Sequence, residues 1–197
     1  MQPYKNVTGK ALPLERANVD TDQIIPAKYL KRIERTGFGE FLFDSWRKLD
    51  DGELDPDFIL NDPRYEGSTI IITGPNFGSG SSREHAPWAL EDYGFRTLIG
   101  SSFADIFKNN CFQNGMLPIE LTDEAVGHFM ERSKDDPDYE ISVDLERCLV
   151  TGSDEYTAEF EIDSFRRDCL LRGLDEIGLT LEYQDAISQY EASHPIT

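Results

Sequence analysis

Gly74, Gly78 and Gly80 lead directly into Ser81, Ser82 and Arg83, and this stretch concentrates groups able to do chemistry. Glycines let a backbone turn sharply and approach a ligand closely. Backbone N–H groups at a helix start lack intrahelical partners, and the helix dipole adds partial positive charge there. Two hydroxyls and a guanidinium beside such a turn make an anion receptor, and an arginine can hold a carboxylate through two parallel hydrogen bonds. The motif is not a P-loop, because no lysine follows the glycines. A dinucleotide fingerprint needs a small third residue where Arg83 stands, and no serine here sits in the GxSxG elbow of a hydrolase.

The same residues carry a plainer meaning. Ser81-Ser82-Arg83-Glu84 spells a capping box, in which Ser81 only satisfies first-turn N–H groups. Arg83 argues the other way, since a cation is disfavoured at a helix N-terminus. His85 is alone in its region and reads as a structural histidine, and Cys111 reads as a small core residue.

The elements that must position this loop are legible around it. A β-branched run at 68–73 is a buried strand, and residues 81–93 read as a helix stopped by Gly94. Strands follow at 95–99 and 116–121, with a helix over 103–113 between them, so the middle of the chain is an α/β layered unit. Residues 10–14 read as a further short strand. A helix over 123–132 and a β-hairpin of 139–150 with 156–162 come next, and 164–192 form a helical tail interrupted at Gly173 and Gly178. Residues 30–64 hold five glycines and prolines and five aromatics, and read as a mobile lid that folds onto something.

Composition bounds the function. The 197 residues suit one domain, and 19 basic against 38 acidic residues give a net charge of −19. The charge argues against a basic nucleic-acid-binding face, and an anionic substrate has to be attracted by a local cluster. The three cysteines contain no CxxC, so the chain encodes neither a zinc site nor a complete iron–sulfur ligand set. The N-terminus has no apolar signal region, and no run of 18 apolar residues exists, so a cytoplasmic protein is expected.

Three segments resemble one family. Residues 74–90, GPNFGSGSSREHAPWAL, are similar to the signature of the swivelling domain of the aconitase superfamily. NVDTDQIIPA at 18–27 resembles that domain's N-terminal element, and 103–118 its third block. Residues 29–47, YLKRIERTGFGEFLFDSWR, bring it nearest to the small subunits of bacterial 3-isopropylmalate dehydratases. The resemblance implies a three-layer, swivelling β/β/α domain with a helical tail, and a large-subunit partner carrying a 4Fe–4S cluster, in a heterodimer or heterotetramer. It implies a hydro-lyase step of leucine biosynthesis that interconverts 2-isopropylmalate and 3-isopropylmalate through isopropylmaleate. On this view the chain itself binds no cofactor or metal. Ser81 corresponds to the catalytic base, with Gly80, Ser82 and Arg83 as substrate-binding residues; Arg32 and Arg35 in the lid are further candidates for substrate contact. The related readings are a small subunit acting on homoaconitate, citraconate or dimethylmalate, and a dicarboxylate-binding module without catalysis.

Overall fold

Ile70–Thr73 is an unbroken Ile-Ile-Ile-Thr run with all four residues buried, the pattern of a strand covered on both faces. The computed structural model, which describes residues 1–31, 35–181 and 183–194, makes this β2 of a seven-stranded sheet. β1 is Val7–Leu14, β3 Thr97–Gly100, β4 Leu117–Glu120, β5 Glu140–Asp144, β6 Leu149–Gly152 and β7 Thr157–Glu159, in the order β4-β3-β2-β1-β5-β6-β7. β1 is longer than the expected 10–14 strand because it serves two partners. Its Ala11–Leu14 half runs parallel to β2 (Ala11 opposite Ile70), and its Val7–Lys10 half runs antiparallel to β5 (Val7 opposite Val143). β2, β3 and β4 continue in parallel.

The sheet divides the core. On one face Leu12, Leu14, Ile71 and Leu98 pack with Ala86, Ala89 and Leu90 of the helix His85–Tyr93 and with Phe107 and Cys111 of the helix Asp105–Gln113. On the other, Ala11, Ile70, Ile72 and Ile99 pack with Val126, Phe129 and Met130 of the helix Asp123–Asp135. Ile71 thus faces away from Ile70 and Ile72, as strand pleating requires. The result is the expected three-layer α/β arrangement.

In chain order α1 is Thr21–Ile24, α2 Asp44–Arg47, α3 His85–Tyr93, α4 Asp105–Gln113, α5 Asp123–Asp135, α6 Ser164–Arg172, α7 Glu176–Leu181 and α8 Gln184–Ser193. The single hairpin expected at 139–162 is instead the three-stranded meander β5-β6-β7. The first arm breaks where Asp144 Oδ1 accepts the Arg147 N–H at 2.9 Å and Cys148 takes φ 53. In the tail, Gly173 (φ 70) ends α6, whereas Gly178 lies inside α7 and interrupts nothing. Within 30–64, Phe38, Leu42, Phe43, Phe58 and Leu60 are built into the core beside α3. No helix among the described residues is long and apolar enough to cross a membrane.

Candidate active site

β1, β2 and β3 end on the same edge of the sheet, and the loops that leave them are stitched together there. Such a C-terminal edge of parallel strands is the usual ligand crevice of open α/β sheets. The Gly78 and Ser79 N–H groups donate to the Val19 carbonyl at 2.8 and 3.1 Å, and Thr21 N–H donates back to the Ser79 carbonyl at 2.9 Å. On the other side Ala104 N–H donates to Phe77 O at 3.0 Å. Asn18 and Asn76, both left-handed at φ 55 and 56, join side chain to side chain at 2.8 Å. Gly78 (φ 78) lies flat on Phe107: a Cβ there would stand 2.1 Å from the ring. Gly80 (φ 91) makes the turn that releases Ser81.

Ser81 and Ser82 are exposed, and Arg83 is mostly covered. The helix starts later than the sequence suggests. α3 begins at His85, Glu84 precedes it without a side-chain cap, and Ser81 forms no capping box. Two observations explain this. Thr21 Oγ1 donates to the Ser81 carbonyl at 2.9 Å, which ties Ser81 to the neighbouring loop. Pro87 has no N–H, so it fits the first turn of a helix begun at His85 but would break one begun at Ser81. The capping box of this site is in α1, where the Asp20 carboxylate accepts from Gln23 N at 2.8 Å and the Gln23 side chain accepts from Asp20 N at 2.9 Å. Ser81 is thus held by loop-to-loop bonds, and its hydroxyl has no hydrogen-bond partner among the described residues.

Arg83 pairs with Asp22 across the two loops. Asp22 lies in the 18–27 element, and sequence reasoning gave it no role. The signal was present, because an arginine just before a helix start needs a carboxylate nearby to offset the dipole. Burial holds the His85 imidazole below its ordinary pKa, with the Arg83 charge adding to the effect and Glu84 opposing it, so the ring is neutral at neutral pH. His85 packs against Trp88 at 4.7 Å and Phe38 at 5.3 Å. Arg35 places its guanidinium over the Trp88 ring at 5.2 Å, so this arginine of the 30–64 segment reaches the helix that follows the serine loop. Arg32 lies outside the described residues.

The cysteines do not gather. Cys111 is buried on α4, Cys148 sits in the turn between β5 and β6, and Cys169 is on α6. Among the described residues no group of three or more His, Cys, Asp or Glu comes together that could hold a metal ion. The described residues therefore do not offer a ligand set that fits an iron–sulfur cluster.

Comparison with known proteins decides the family. Residues 1–124 match the family model of the aconitase C-terminal domain, and residues 176–197 match that of the C-terminal domain of the 3-isopropylmalate dehydratase small subunit. The 3-isopropylmalate dehydratase small subunit of Halalkalibacterium halodurans is 56% identical over 193 residues, covering 98% of this chain and 99% of the relative. That of Brevibacillus brevis is 55% identical over 192 residues, covering 98% and 99%. The chain belongs to the 3-isopropylmalate dehydratase small-subunit family of the aconitase superfamily. Members are subunits of hydro-lyases, and a small subunit implies a larger partner chain. The crystal structure of a 3-isopropylmalate dehydratase from Methanocaldococcus jannaschii shares the fold, with a TM-score of 0.68 at 23% identity, covering 94% of this chain and 99% of that one.

Proposed function

We propose that this chain is the small subunit of a cytoplasmic 3-isopropylmalate dehydratase and that, paired with its large subunit, it interconverts 2-isopropylmalate and 3-isopropylmalate through isopropylmaleate in leucine biosynthesis. The observation that carries this reading is the joining of Arg83 in the serine loop to Asp22 in the 18–27 element, in a chain whose relatives bear that enzyme's name. The chemistry removes a proton from the carbon next to a carboxylate. Ser81, exposed and released by the Gly80 turn, is the base. Its alkoxide is a high-energy species, and the Arg83 cation in the same loop stabilises it. Arg83 exchanges part of its bonding from Asp22 to a substrate carboxylate, and Ser82 and the Gly80 backbone complete that contact. Arg35, beside Trp88, helps to receive the substrate. The 4Fe–4S cluster belongs to the large subunit, so neither chain holds a complete site.

The test is co-expression with the cluster-bearing large subunit, isolation of the complex, and anaerobic assay of 3-isopropylmalate dehydration. Formation of isopropylmaleate by the pair, and by neither chain alone, is expected. Turnover of homoaconitate, citraconate or dimethylmalate in its place would overturn the substrate assignment. A chain that pairs with nothing yet binds dicarboxylates would overturn the enzyme reading.

A further inference from the structure

Asp92 occupies the next-to-last position of α3, where a negative charge opposes the helix dipole. It is exposed, so burial does not account for it. What it touches does. Its Oδ2 accepts the Gly37 N–H at 2.7 Å and the Gly39 N–H at 3.0 Å. The chain between these contacts is pressed onto the helix. A Cβ on Gly39 would stand 2.8 Å from Tyr93 N and 2.9 Å from the Asp92 carbonyl carbon, so only glycine permits the approach. Phe38 is fully buried beside His85 and Trp88, and Arg35 lies over Trp88. The strip from Arg35 to Gly39 therefore runs along α3 from its first turn to its last, and α3 is the helix that leaves the serine loop. A second carboxylate fixes the other side of the segment. Asp44, almost fully buried, accepts the Tyr29 hydroxyl at 2.7 Å and pairs with Lys28 at 2.8 Å and Lys48 at 2.6 Å, while Tyr29 stacks on Phe41 at 3.9 Å.

We infer that Asp92 is a positioning residue for substrate recognition: its carboxylate holds the Gly37 and Gly39 amides and so sets where Arg35 stands over Trp88, in the first turn of the helix that leaves the serine loop. It takes no part in proton removal. The inference rests on the dehydratase reading above, because it assigns Arg35 to substrate binding.

The experiment uses the reconstituted two-subunit enzyme and the hydroxy-diacid that the wild-type pair turns over best. Asp92→Ala removes both hydrogen bonds to a charged acceptor and should raise KM by about 10-fold or more. The same variant should leave kcat within about three-fold, because the base is untouched. Asp92→Asn keeps an acceptor oxygen and should recover most of the affinity. Gly39→Ala, which lifts the strip off α3 by contact alone, should reproduce the KM effect without a change of charge. In hydrogen exchange, the Gly37 and Gly39 amides should lose protection in Asp92→Ala while the central amides of α3 keep theirs. An unchanged KM in Asp92→Ala, a matched loss of kcat, or an Asn variant as impaired as Ala overturns the assignment. If the wild-type pair prefers an acid other than isopropylmalate, the dehydratase reading fails on its substrate, and the same variants measured on that acid still decide the role of Asp92.

Discussion

The Arg83 guanidinium is bound to the Asp22 carboxylate, so the loop that carries the serines is joined to α1, the short helix that follows β1. Asp22 thereby keeps Arg83 extended across the loop junction. A guanidinium fixed by one carboxylate still has donors on its other edge, since it presents five N–H groups in a rigid fork. On the function proposed above, Arg83 would thus be oriented before substrate arrives.

That arrangement predicts a split between catalysis and stability for Asp22→Asn. The exposed carboxylate contributes at most about 1 kcal/mol to folding, so the melting temperature should barely move. Losing the charge-assisted bond that aims Arg83 should lower kcat/KM of the paired enzyme by about 10-fold or more. Arg83→Lys should act in the same direction through KM, because an ammonium lacks the two-pronged geometry. Steady-state kinetics of the heteromer would check both, and wild-type values in either variant would remove Arg83 from the substrate site.

Ser81→Ala separates the two meanings of the serine loop. A helix cap would cost stability, typically about 1 kcal/mol. In the structure Ser81 caps nothing and is tied through its carbonyl, which alanine retains. Folding and subunit pairing should therefore be unchanged while kcat falls by about a thousand-fold, the scale of losing a principal catalytic group. Size-exclusion chromatography with single-turnover assays would show this, and near-normal turnover would end the base assignment.

Much of this was legible in the sequence, and where it was not the reasons are local. The parallel strands announced themselves because residues buried on both faces must be continuously apolar, as at Ile70–Ile72. The late start of α3 was readable from Pro87, but Ser81-x-x-Glu84 fits a capping box so well that local pattern outweighed it. The split of the hairpin at Cys148 depends on one left-handed residue of a type that seldom adopts that conformation, which no propensity reveals. Arg83 was visible as a candidate, whereas its partner Asp22 lies 61 residues away in sequence and is brought near by the pairing of β1 with β2 and by the bonds between the segments that follow them. The same holds for Asp92, whose contacts with Gly37 and Gly39 span 55 and 53 residues.

The two glycines flanking Ser79 should respond very differently to alanine. At Gly78 the new methyl would fall 2.1 Å from the Phe107 ring, inside the core, with φ at 78. Overpacking typically costs about 1–3 kcal/mol, and a strained backbone adds to it, so Gly78→Ala should unfold at clearly lower denaturant. At Gly80 the methyl meets the Asp20 Cβ at 3.4 Å, Thr21 Oγ1 at 3.6 Å and Thr21 N at 3.8 Å, all ordinary contacts, so the cost is mainly that of φ 91. That is roughly 1–3 kcal/mol of backbone strain, relieved if the loop shifts. Because Gly80 precedes Ser81, the shift should show as lost turnover more than lost stability. Equal denaturation midpoints for the two variants would contradict the packing of Gly78 on Phe107.

Part of the acid sensitivity should trace to Asp44. Burial alone would raise its pKa, but hydrogen bonds from Lys28, Lys48 and Tyr29 outweigh that and bring it from 3.8 down to about 2. A carboxylate whose folded pKa lies below its unfolded value favours the native state by binding protons more weakly there. The contribution is fully present above the unfolded value of 3.8 and is lost as the pH falls toward 2. It amounts to about 2 kcal/mol at most, from the size of the shift. Asp44→Asn removes the titration, leaves Lys28 and Lys48 without their carboxylate, and should be less stable than the wild type at neutral pH. The stability gap between the two proteins should then narrow as the pH is lowered from about 5 toward 2, because protonation removes from the wild type what the substitution has already removed. Denaturant titrations of both proteins across that range would measure it. A gap that stays constant would mean that the buried carboxylate does not carry the acid response.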